Sequence, residues 1–495
     1  MISFSRNLLS SSSANRRTAI TAGIAGLLIG TLAVLYPLGI VVLIGGCVGL
    51  WLLYRVLGDP FFGVLLITFF LPFERVGGFD IGGMTIRLHQ VWALLTLASW
   101  IGQKIIRGEL RFRANPLFWP LFLFILGNFA SLLNAINLTR GLFVTAFTIF
   151  VIITSFMIAE LVDTRDKAVR VFRVLFFSAV LVSLFGLFQW IGDEIGLPPS
   201  ITQIRVGWYN KGVIGMTRLH STALEPLYFA NYLLVVLPPA LSLLLHHVIR
   251  RVKQDHATVT PVPYAVMLIG SMVIGLAFLL TISRGGYLAL AMSCLVLFIF
   301  SFKQFFTPRI LALGVIGAGA LLLVGGVIGI SSSKLNLEYM LYRATHFVET
   351  TSDWERLEAY EAAYEAFTLS PWFGYGPGNY GAYRVDQYSG SPDEGWGIAN
   401  NEYLELLAEV GLFGFITLVV ALLLWTIRNL AAQGRAQDQI VRTLLIGSLA
   451  SMAGIALQYM TFSTLYIMHI WWMIGYGVAL QRLAFENKDI HDAKE

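Results

Sequence analysis

Two arginines, Arg218 and Arg284, each stand at the edge of an apolar run beside polar or small residues. Glu225 follows Arg218 within the same polar stretch, and Gly285 and Gly286 follow Arg284 directly. A guanidinium stays charged and pairs bidentately with phosphate oxygens, so both positions are candidates for binding an anionic headgroup. Each also has a plainer interpretation, as an interfacial anchor or as a snorkelling side chain at a tight turn.

The polar segment 331–400 is a second candidate for chemistry. It carries fourteen aromatic residues, and its ten acidic residues outnumber its four Lys and Arg residues. Aromatic faces stack on the apolar faces of sugar rings, so this composition favours carbohydrate binding. The spacing of apolar residues predicts an amphipathic helix over 352–367, which would pack onto the rest of the chain or present its aromatic residues. Arg356 lies within that helix.

These residues must be positioned by a chain that is mostly membrane-spanning. Of its 495 residues, 57% are hydrophobic and only 13% are charged. The apolar residues form runs long enough to cross a hydrocarbon core, and backbone in lipid must be helical or form a closed barrel. We therefore predict an all-α, polytopic membrane protein with about 12–14 transmembrane helices and one large, partly helical extracytoplasmic loop. The predicted spans are 18–36, 38–54, 60–73, 89–103, 116–135, 141–162, 171–192, 226–246, 264–282, 286–302, 309–330, 404–427, 441–459 and 463–481.

The distribution of Lys and Arg predicts the orientation of these spans, because cytoplasmic loops carry the excess of positive charge. With the N-terminus inside, most of the 34 Lys and Arg residues fall in inner segments, and both termini lie in the cytoplasm. Segments 193–225 and 331–400 then become extracytoplasmic loops within a single membrane domain, 1–495. The net charge of +5 is spread over many short loops, which argues against a nucleic-acid-binding protein.

Arginines near the outer leaflet, with an aromatic and acidic loop on the same side, indicate a lipid-linked sugar diphosphate as ligand. The sequence has no phosphate-binding glycine-rich loop with Lys and no recognisable metal-ligand spacing, so we expect no cofactor and no metal. The two cysteines, Cys47 and Cys294, are too few for a zinc cluster or a disulfide framework.

The motifs between residues 218 and 414 resemble those of the bacterial O-antigen ligase and O-antigen polymerase superfamily. The family's last motif is a His-Asn pair, nine residues, and then Gly-x-x-Gly. Here Asn400-Asn401 is followed by nine residues and Gly411-Leu412-Phe413-Gly414. The other matching residues are Arg218, Pro226, Ala230, Leu237, Pro238, Thr281, Ile282, Ser283, Arg284, Gly285, Gly286, Arg356, Pro371, Gly374, Gly376 and Gly378.

The resemblance implies a metal-independent glycosyl transfer at the periplasmic side of the bacterial inner membrane. The donor would be a glycan on undecaprenyl diphosphate, surrounded by membrane lipids. The acceptor would be a sugar hydroxyl, on lipid A core for a ligase or on another glycan for a polymerase. Arg218, Arg284 and Arg356 would hold the diphosphate and stabilise the charge that builds as it leaves. Two further alternatives stay open: a protein O-oligosaccharyltransferase, and a transporter of lipid-linked glycans without chemistry.

Asn400 stands where the family has histidine, and an amide does not take up a proton at neutral pH. Asn400 would then orient the acceptor while another group acts as base, or the step needs little base help, or this chain has changed its acceptor or lost activity. The candidate bases in the sequence are Glu225, His220, His346, Asp393 and Glu402.

Overall fold

A computed structural model gives the fold of the chain. It describes residues 37–81, 84–204, 217–252, 260–305, 351–387, 397–463 and 465–492. Two candidate bases, His346 and Asp393, lie outside the described residues, as do the predicted spans 18–36 and 309–330.

The described residues are almost entirely helical, as the apolar runs predict. The helices are α1 (Pro37–Gly58), α2 (Pro60–Phe70), α3 (Leu88–Ile106), α4 (Phe118–Ser131), α5 (Leu138–Leu161), α6 (Arg165–Glu194), α7 (Pro199–Thr202), α8 (Pro226–Val252), α9 (Tyr264–Leu280), α10 (Arg284–Phe305), α11 (Thr351–Leu369), α12 (Tyr380–Gln387), α13 (Glu402–Arg435), α14 (Gln439–Gln458) and α15 (Met468–Asp492). Single 3-10 turns occur at Leu71–Phe73, Leu132–Asn134 and Ser221–Ala223. A short antiparallel hairpin joins β1 (Phe79–Ile81) to β2 (Met84–Ile86), with Phe79 opposite Ile86.

Every predicted span within the described residues overlaps a helix. Six of these helices are long and apolar enough to cross a membrane, namely α5, α6, α8, α10, α13 and α14. The last predicted span, 463–481, begins too early. Helix α14 ends at Gln458, α15 begins at Met468, and the described residues between them are not helical. We call residues 459–463 and 465–467 the outer-end turn.

The chain divides into two compact units, Met1–Phe62 and Gly63–Glu495. In the first unit, α1 ends where the Asp59 amide donates to the Arg55 carbonyl at 2.9 Å. The Asp59 carboxylate then accepts a hydrogen bond from the Phe61 amide at 3.0 Å, and this bond begins the next helix.

The second unit is held together by close helix pairs, chiefly α10 with α14, α14 with α8, α15 with α5, and α13 with α4. Small residues permit this closeness, as is usual between membrane helices. A Cβ added to Gly454 would lie 2.6 Å from the Ala289 carbonyl oxygen, and one added to Gly475 would lie 2.3 Å from the Ser155 carbonyl oxygen. The backbones of these helices therefore meet without intervening side chains.

The two ends of this unit differ in charge. At one end the last turns of α3, α8 and α13 carry Lys104, Arg250, Arg251 and Arg435. Ion pairs of Lys104 with Glu160 at 2.5 Å and of Arg165 with Asp438 at 2.7 Å lie at the same end. The positive-inside rule predicts that this basic end faces the cytoplasm. The opposite end, which we call the outer end, carries the α9–α10 turn, the start of α13 and the outer-end turn. The insert helices α11 and α12 pack against α13 near its start.

Candidate functional site

The segments that carry Arg218 and Arg284 lie side by side. Arg218 Nε donates to the Thr281 carbonyl at 2.9 Å, and the Leu219 amide donates to the Leu280 carbonyl at 2.9 Å. Because Thr281 precedes Arg284 by only three residues, the structure brings these two predicted arginines into adjoining segments at the outer end.

The α9–α10 turn is tightly constrained. Ile282 adopts a φ of 47°, a left-handed conformation that is rare for a β-branched residue. Ser283 Oγ accepts a hydrogen bond from the Gly286 amide at 3.1 Å. A Cβ on Gly285 would lie 2.2 Å from Thr461 Oγ1, so a side chain here would displace that hydroxyl from its 3.1 Å hydrogen bond to the Gln458 carbonyl. The backbone of Arg284, the first residue of α10, is therefore held in place by the turn before it and by the helix that it begins.

Asn400 is held by its backbone. Its φ is 54°, in the left-handed region that Asn tolerates better than most residues. Tyr360 Oη lies 3.4 Å from the Asn400 carbonyl oxygen and 3.3 Å from the Met460 carbonyl oxygen. The next residue, Asn401, caps α13, because its side chain accepts a hydrogen bond from the Tyr403 amide at 3.1 Å.

The outer-end turn connects these segments, and sequence analysis missed it. The Glu402 amide donates to the Tyr459 carbonyl at 2.8 Å, and Glu402 Oε2 accepts from the Leu465 amide at 2.9 Å. Within the same turn, Met460 contacts Tyr360 of the insert and Thr461 lies against Gly285. The outer-end turn therefore contacts the start of α13, the insert and the α9–α10 turn. The polar residues that interrupt the apolar run at 461–464 were the available signal.

Three buried acids on one face of α13, Glu402, Glu405 and Glu409, hold the surrounding backbone in place. Glu405 Oε2 accepts a hydrogen bond from the Ala399 amide at 2.7 Å, and Glu409 Oε1 accepts one from the Tyr380 amide at 3.2 Å. Glu402 was a candidate base in the sequence. The structure places it 3% exposed, with one carboxylate oxygen bound to the turn.

The Gly-x-x-Gly motif marks a break in α13. Gly411 has φ 62° and ψ −169°, inside an otherwise helical segment. The insert docks into this break, where the Leu412 amide donates to the Pro371 carbonyl at 2.8 Å and the Gly376 amide donates to the Glu409 carbonyl at 2.8 Å. A Cβ on Gly411 would lie 2.4 Å from the Trp372 carbonyl carbon, so a side chain at this position would overlap the insert.

Helix α11 confirms the predicted amphipathic helix and reveals which of its faces is packed. Its buried face is made of small residues, Ala362, Ala363 and Ala366, which cluster with Tyr380 and Tyr383. On the opposite side Trp354 and Tyr364 are each 60% exposed. The aromatic face is therefore available to a ligand or a membrane surface.

Arg356 lies one helical turn before Tyr360, and residues four apart share a helix face. Burial raises the pKa of Tyr360, and the positive charge of Arg356 acts in the opposite direction. Tyr360 Oη lies 3.4 Å from the Asn400 carbonyl oxygen, so Arg356 lies on the face of α11 that is nearest Asn400.

Two remaining candidate bases, Glu225 and His220, lie near Arg218 in sequence. Glu225 forms an ion pair with Arg75 at 3.7 Å, and the Arg75 guanidinium lies 3.7 Å from the ring centroid of Tyr228. His220 Nδ1 lies 3.1 Å from the Ser221 carbonyl oxygen, and burial lowers the pKa of His220. Its imidazole is therefore neutral at pH 7. Arg75 was not predicted from the sequence.

A buried polar network lies next to Arg75. Asn231 Nδ2 donates to Gln458 Oε1 at 2.8 Å, and Asn231 Oδ1 lies 2.6 Å from His469 Nε2. Glu74 lies 3.9 Å from His469 and pairs with Arg87 at 3.0 Å. Burial raises the pKa of Glu74, against the attraction of Arg87. The network joins the ends of α8, α14 and α15 beneath the outer end.

We expect that Gln458→Leu will destabilise the protein, because it leaves the buried Asn231 amide without its acceptor. An unsatisfied buried polar group costs about 1–3 kcal/mol. The apparent melting temperature in detergent measures the loss. Gln439→Leu is the matched control, since Gln439 is an exposed residue at the other end of the same helix. Equal melting temperatures for the two variants would contradict a stabilising role for the Asn231–Gln458 bond.

Among the described residues, no group of three or more His, Cys, Asp or Glu side chains is arranged to hold a metal ion. Residues 269–419 match the family model described as O-antigen ligase, and no curated protein matches the chain. The matched region contains Arg284, Arg356, Asn400 and the Gly-x-x-Gly motif, whereas Arg218 precedes it. The match confirms the resemblance found in the sequence, and identifies residues 269–419 as an O-antigen ligase family domain within a polytopic α-helical membrane protein.

Proposed function

We propose that this protein is a glycosyltransferase of the bacterial inner membrane, with its site at the outer, periplasmic end. It moves a glycan from undecaprenyl diphosphate to an acceptor sugar hydroxyl, as an O-antigen ligase does. Both termini lie in the cytoplasm in this proposal. An O-antigen or exopolysaccharide polymerase, which uses the same donor, is the alternative.

One observation carries this proposal. The segments bearing Arg218, Arg284 and Asn400 are joined through the outer-end turn, and the insert that bears Arg356 packs beside them. These residues come from distant parts of the sequence. Arginines gathered at one membrane face suit a diphosphate at the headgroup level, and the exposed aromatic face of α11 suits the sugars.

The reaction exchanges one bond at the anomeric carbon of the donor. The acceptor oxygen forms a bond to that carbon, the bond to the diphosphate oxygen breaks, and the acceptor proton passes to a base. The leaving diphosphate gains negative charge as the bond breaks. Fixed guanidinium groups beside it stabilise that charge more in the transition state than in the ground state, which lowers the barrier.

His220 and Glu225 are the proposed bases that lie close in sequence to Arg218, within the described residues. His220 is neutral and able to accept a proton. Glu225 is only partly buried, at 32% exposure of its side chain, and is paired with Arg75. Asn400 orients the acceptor hydroxyl through its amide and does not remove the proton.

We expect that removing the Asn400 side chain will weaken transfer less than removing that of Arg284, because the diphosphate keeps its electrostatic partners. Asn400→Gly is the informative change, since glycine keeps the left-handed backbone that Asn400→Ala would strain by about 1–2 kcal/mol. Transfer by purified protein from a lipid-linked donor measures both variants. Complete loss in Asn400→Gly, equal to the loss in Arg284→Ala, would contradict the ranking.

The lipid-linked species that accumulates in a deletion strain tests the proposed function and its alternative. Loss of a ligase leaves long polymer on the lipid carrier, whereas loss of a polymerase leaves single repeat units. A strain that accumulates neither, together with purified protein that does not turn over the lipid-linked donor, would refute glycosyl transfer and favour transport.

A further inference from the structure

A cavity of about 640 Å³ opens at the basic end of the second unit, far from the segments described above. It lies where α3, α5, α13 and α15 end and where α4 begins. Its polar lining includes Arg113, Glu160, Arg428, Gln481 and Arg482. None of these residues belongs to the proposed transfer site.

The cavity has an excess of positive charge. Its carboxylate, Glu160, is already paired with Lys104 at 2.5 Å. Arg482 is partly neutralised by Glu486 at 3.7 Å and donates to the Val162 carbonyl at 2.9 Å. Arg113 and Arg428 therefore supply the surplus charge.

Several buried polar atoms of the lining have no hydrogen-bond partner within the described residues. They are Arg428 Nε, Gln481 Oε1 and Arg482 Nε, and Gln481 is 1% exposed. A buried donor or acceptor that is left unpaired is costly, so these atoms indicate that the cavity holds a polar ligand. Such a ligand offers an acceptor to the arginine and a donor, such as a hydroxyl group, to the glutamine.

The rest of the cavity is mostly apolar and opens towards exposed aromatic side chains. Phe118 and Trp119, at the start of α4, line it and are 46% and 69% exposed. Phe112 and Phe485 complete the wall, and the Arg428 guanidinium lies 5.3 Å from the ring centroid of Phe485. A ligand in this cavity thus meets cationic side chains at one side and an apolar, exposed path suited to acyl chains at the other.

We propose that the cavity binds the phosphate group of an anionic phospholipid with a hydroxyl-bearing headgroup. Basic cavities between helices at the cytoplasmic face are suited to such headgroups. A free phosphate or nucleotide would also pair with the arginines, but it has no acyl chains to pack against the exposed rings of Phe118 and Trp119. The lipid phosphate pairs with Arg113 and Arg428, its hydroxyl donates to Gln481, and its acyl chains lie along Phe118 and Trp119.

Native mass spectrometry of the purified full-length protein tests this proposal without any substitution. We expect one molecule of phosphatidylglycerol to bind about thirtyfold more tightly than phosphatidylcholine, because roughly 1 kcal/mol for each of the two arginines near the headgroup implies that ratio. Equal affinity for the two lipids would overturn the proposal. Displacement of the lipid by inorganic phosphate at equal concentration would assign the cavity to a soluble anion and would also overturn it.

The double variant Arg113→Gln/Arg428→Gln tests the location of the site. We expect it to lose the preference for phosphatidylglycerol, while Arg442→Gln, which changes an exposed arginine of the same end outside the cavity, keeps it. Melting temperatures without added lipid show whether both variants are folded. A folded double variant that keeps the full preference would show that the lipid binds elsewhere and would refute this assignment. If the double variant does not fold, the comparison of the two lipids on the wild-type protein still tests the proposal.

Discussion

Replacing Arg284 by alanine is expected to reduce glycan transfer severely and to leave the amount of protein in the membrane unchanged. Arg284 is the first residue of α10, and a cation at a helix N-terminus is unfavourable for the helix dipole. Its side chain is also exposed. Removing its charge therefore removes an unfavourable interaction with the α10 dipole, and the amount of protein in the membrane separates a functional role from a role in folding.

The expected loss of transfer rate is on the order of 10²–10³-fold, the usual effect of removing one group that stabilises transition-state charge. Surface polysaccharide in a complemented deletion strain, and turnover of a lipid-linked donor by purified protein, measure that loss. Arg284→Lys should retain part of the activity, because lysine keeps the charge and loses the bidentate geometry. Arg442→Ala, at the basic end, is the matched control and should be fully active. Normal polysaccharide in Arg284→Ala would refute the proposed role.

The apolar runs were sufficient to predict the helices because length and hydrophobicity are local properties. They also predicted α11, whose pattern of apolar residues is plain in the sequence. The outer-end turn was missed because its bonds join residues far apart in the chain. The Leu465 amide binds Glu402, 63 residues away, and no periodicity reports such a contact. Arg75 and Glu74 were missed for the same reason.

The backbone conformation at position 400 explains why an asparagine fits there. The left-handed region is enriched in Asn, Asp and His among non-glycine residues, so both the family's histidine and the asparagine of this chain suit that backbone. Only histidine also supplies a group that takes up a proton near neutral pH. The substitution therefore keeps the geometry of the turn and changes its proton chemistry, which is why the base is sought elsewhere.

Replacing Gly411 by alanine is expected to prevent the insert from docking onto α13. Alanine at a φ of 62° costs about 1–2 kcal/mol from its conformation alone. The added Cβ would also lie 2.4 Å from the Trp372 carbonyl carbon and 2.4 Å from the Phe373 amide nitrogen. These are backbone atoms, so no change of side-chain rotamer relieves the overlap, and overpacking adds about 1–3 kcal/mol or more.

The matched control is Gly434→Ala in the same helix, because a Cβ added to Gly434 meets no atom within 4 Å. This variant should be neutral or up to about 1 kcal/mol more stable, since alanine favours helix over glycine. Size-exclusion behaviour and melting temperature in detergent compare the two variants. If Gly411→Ala melts like Gly434→Ala, the insert does not rest in the helix break. If Gly411→Ala melts at a lower temperature and also loses transfer, the docked insert is required both for stability and for the proposed site. Both losses are expected together, because the segment of α13 that receives the insert begins next to Asn400.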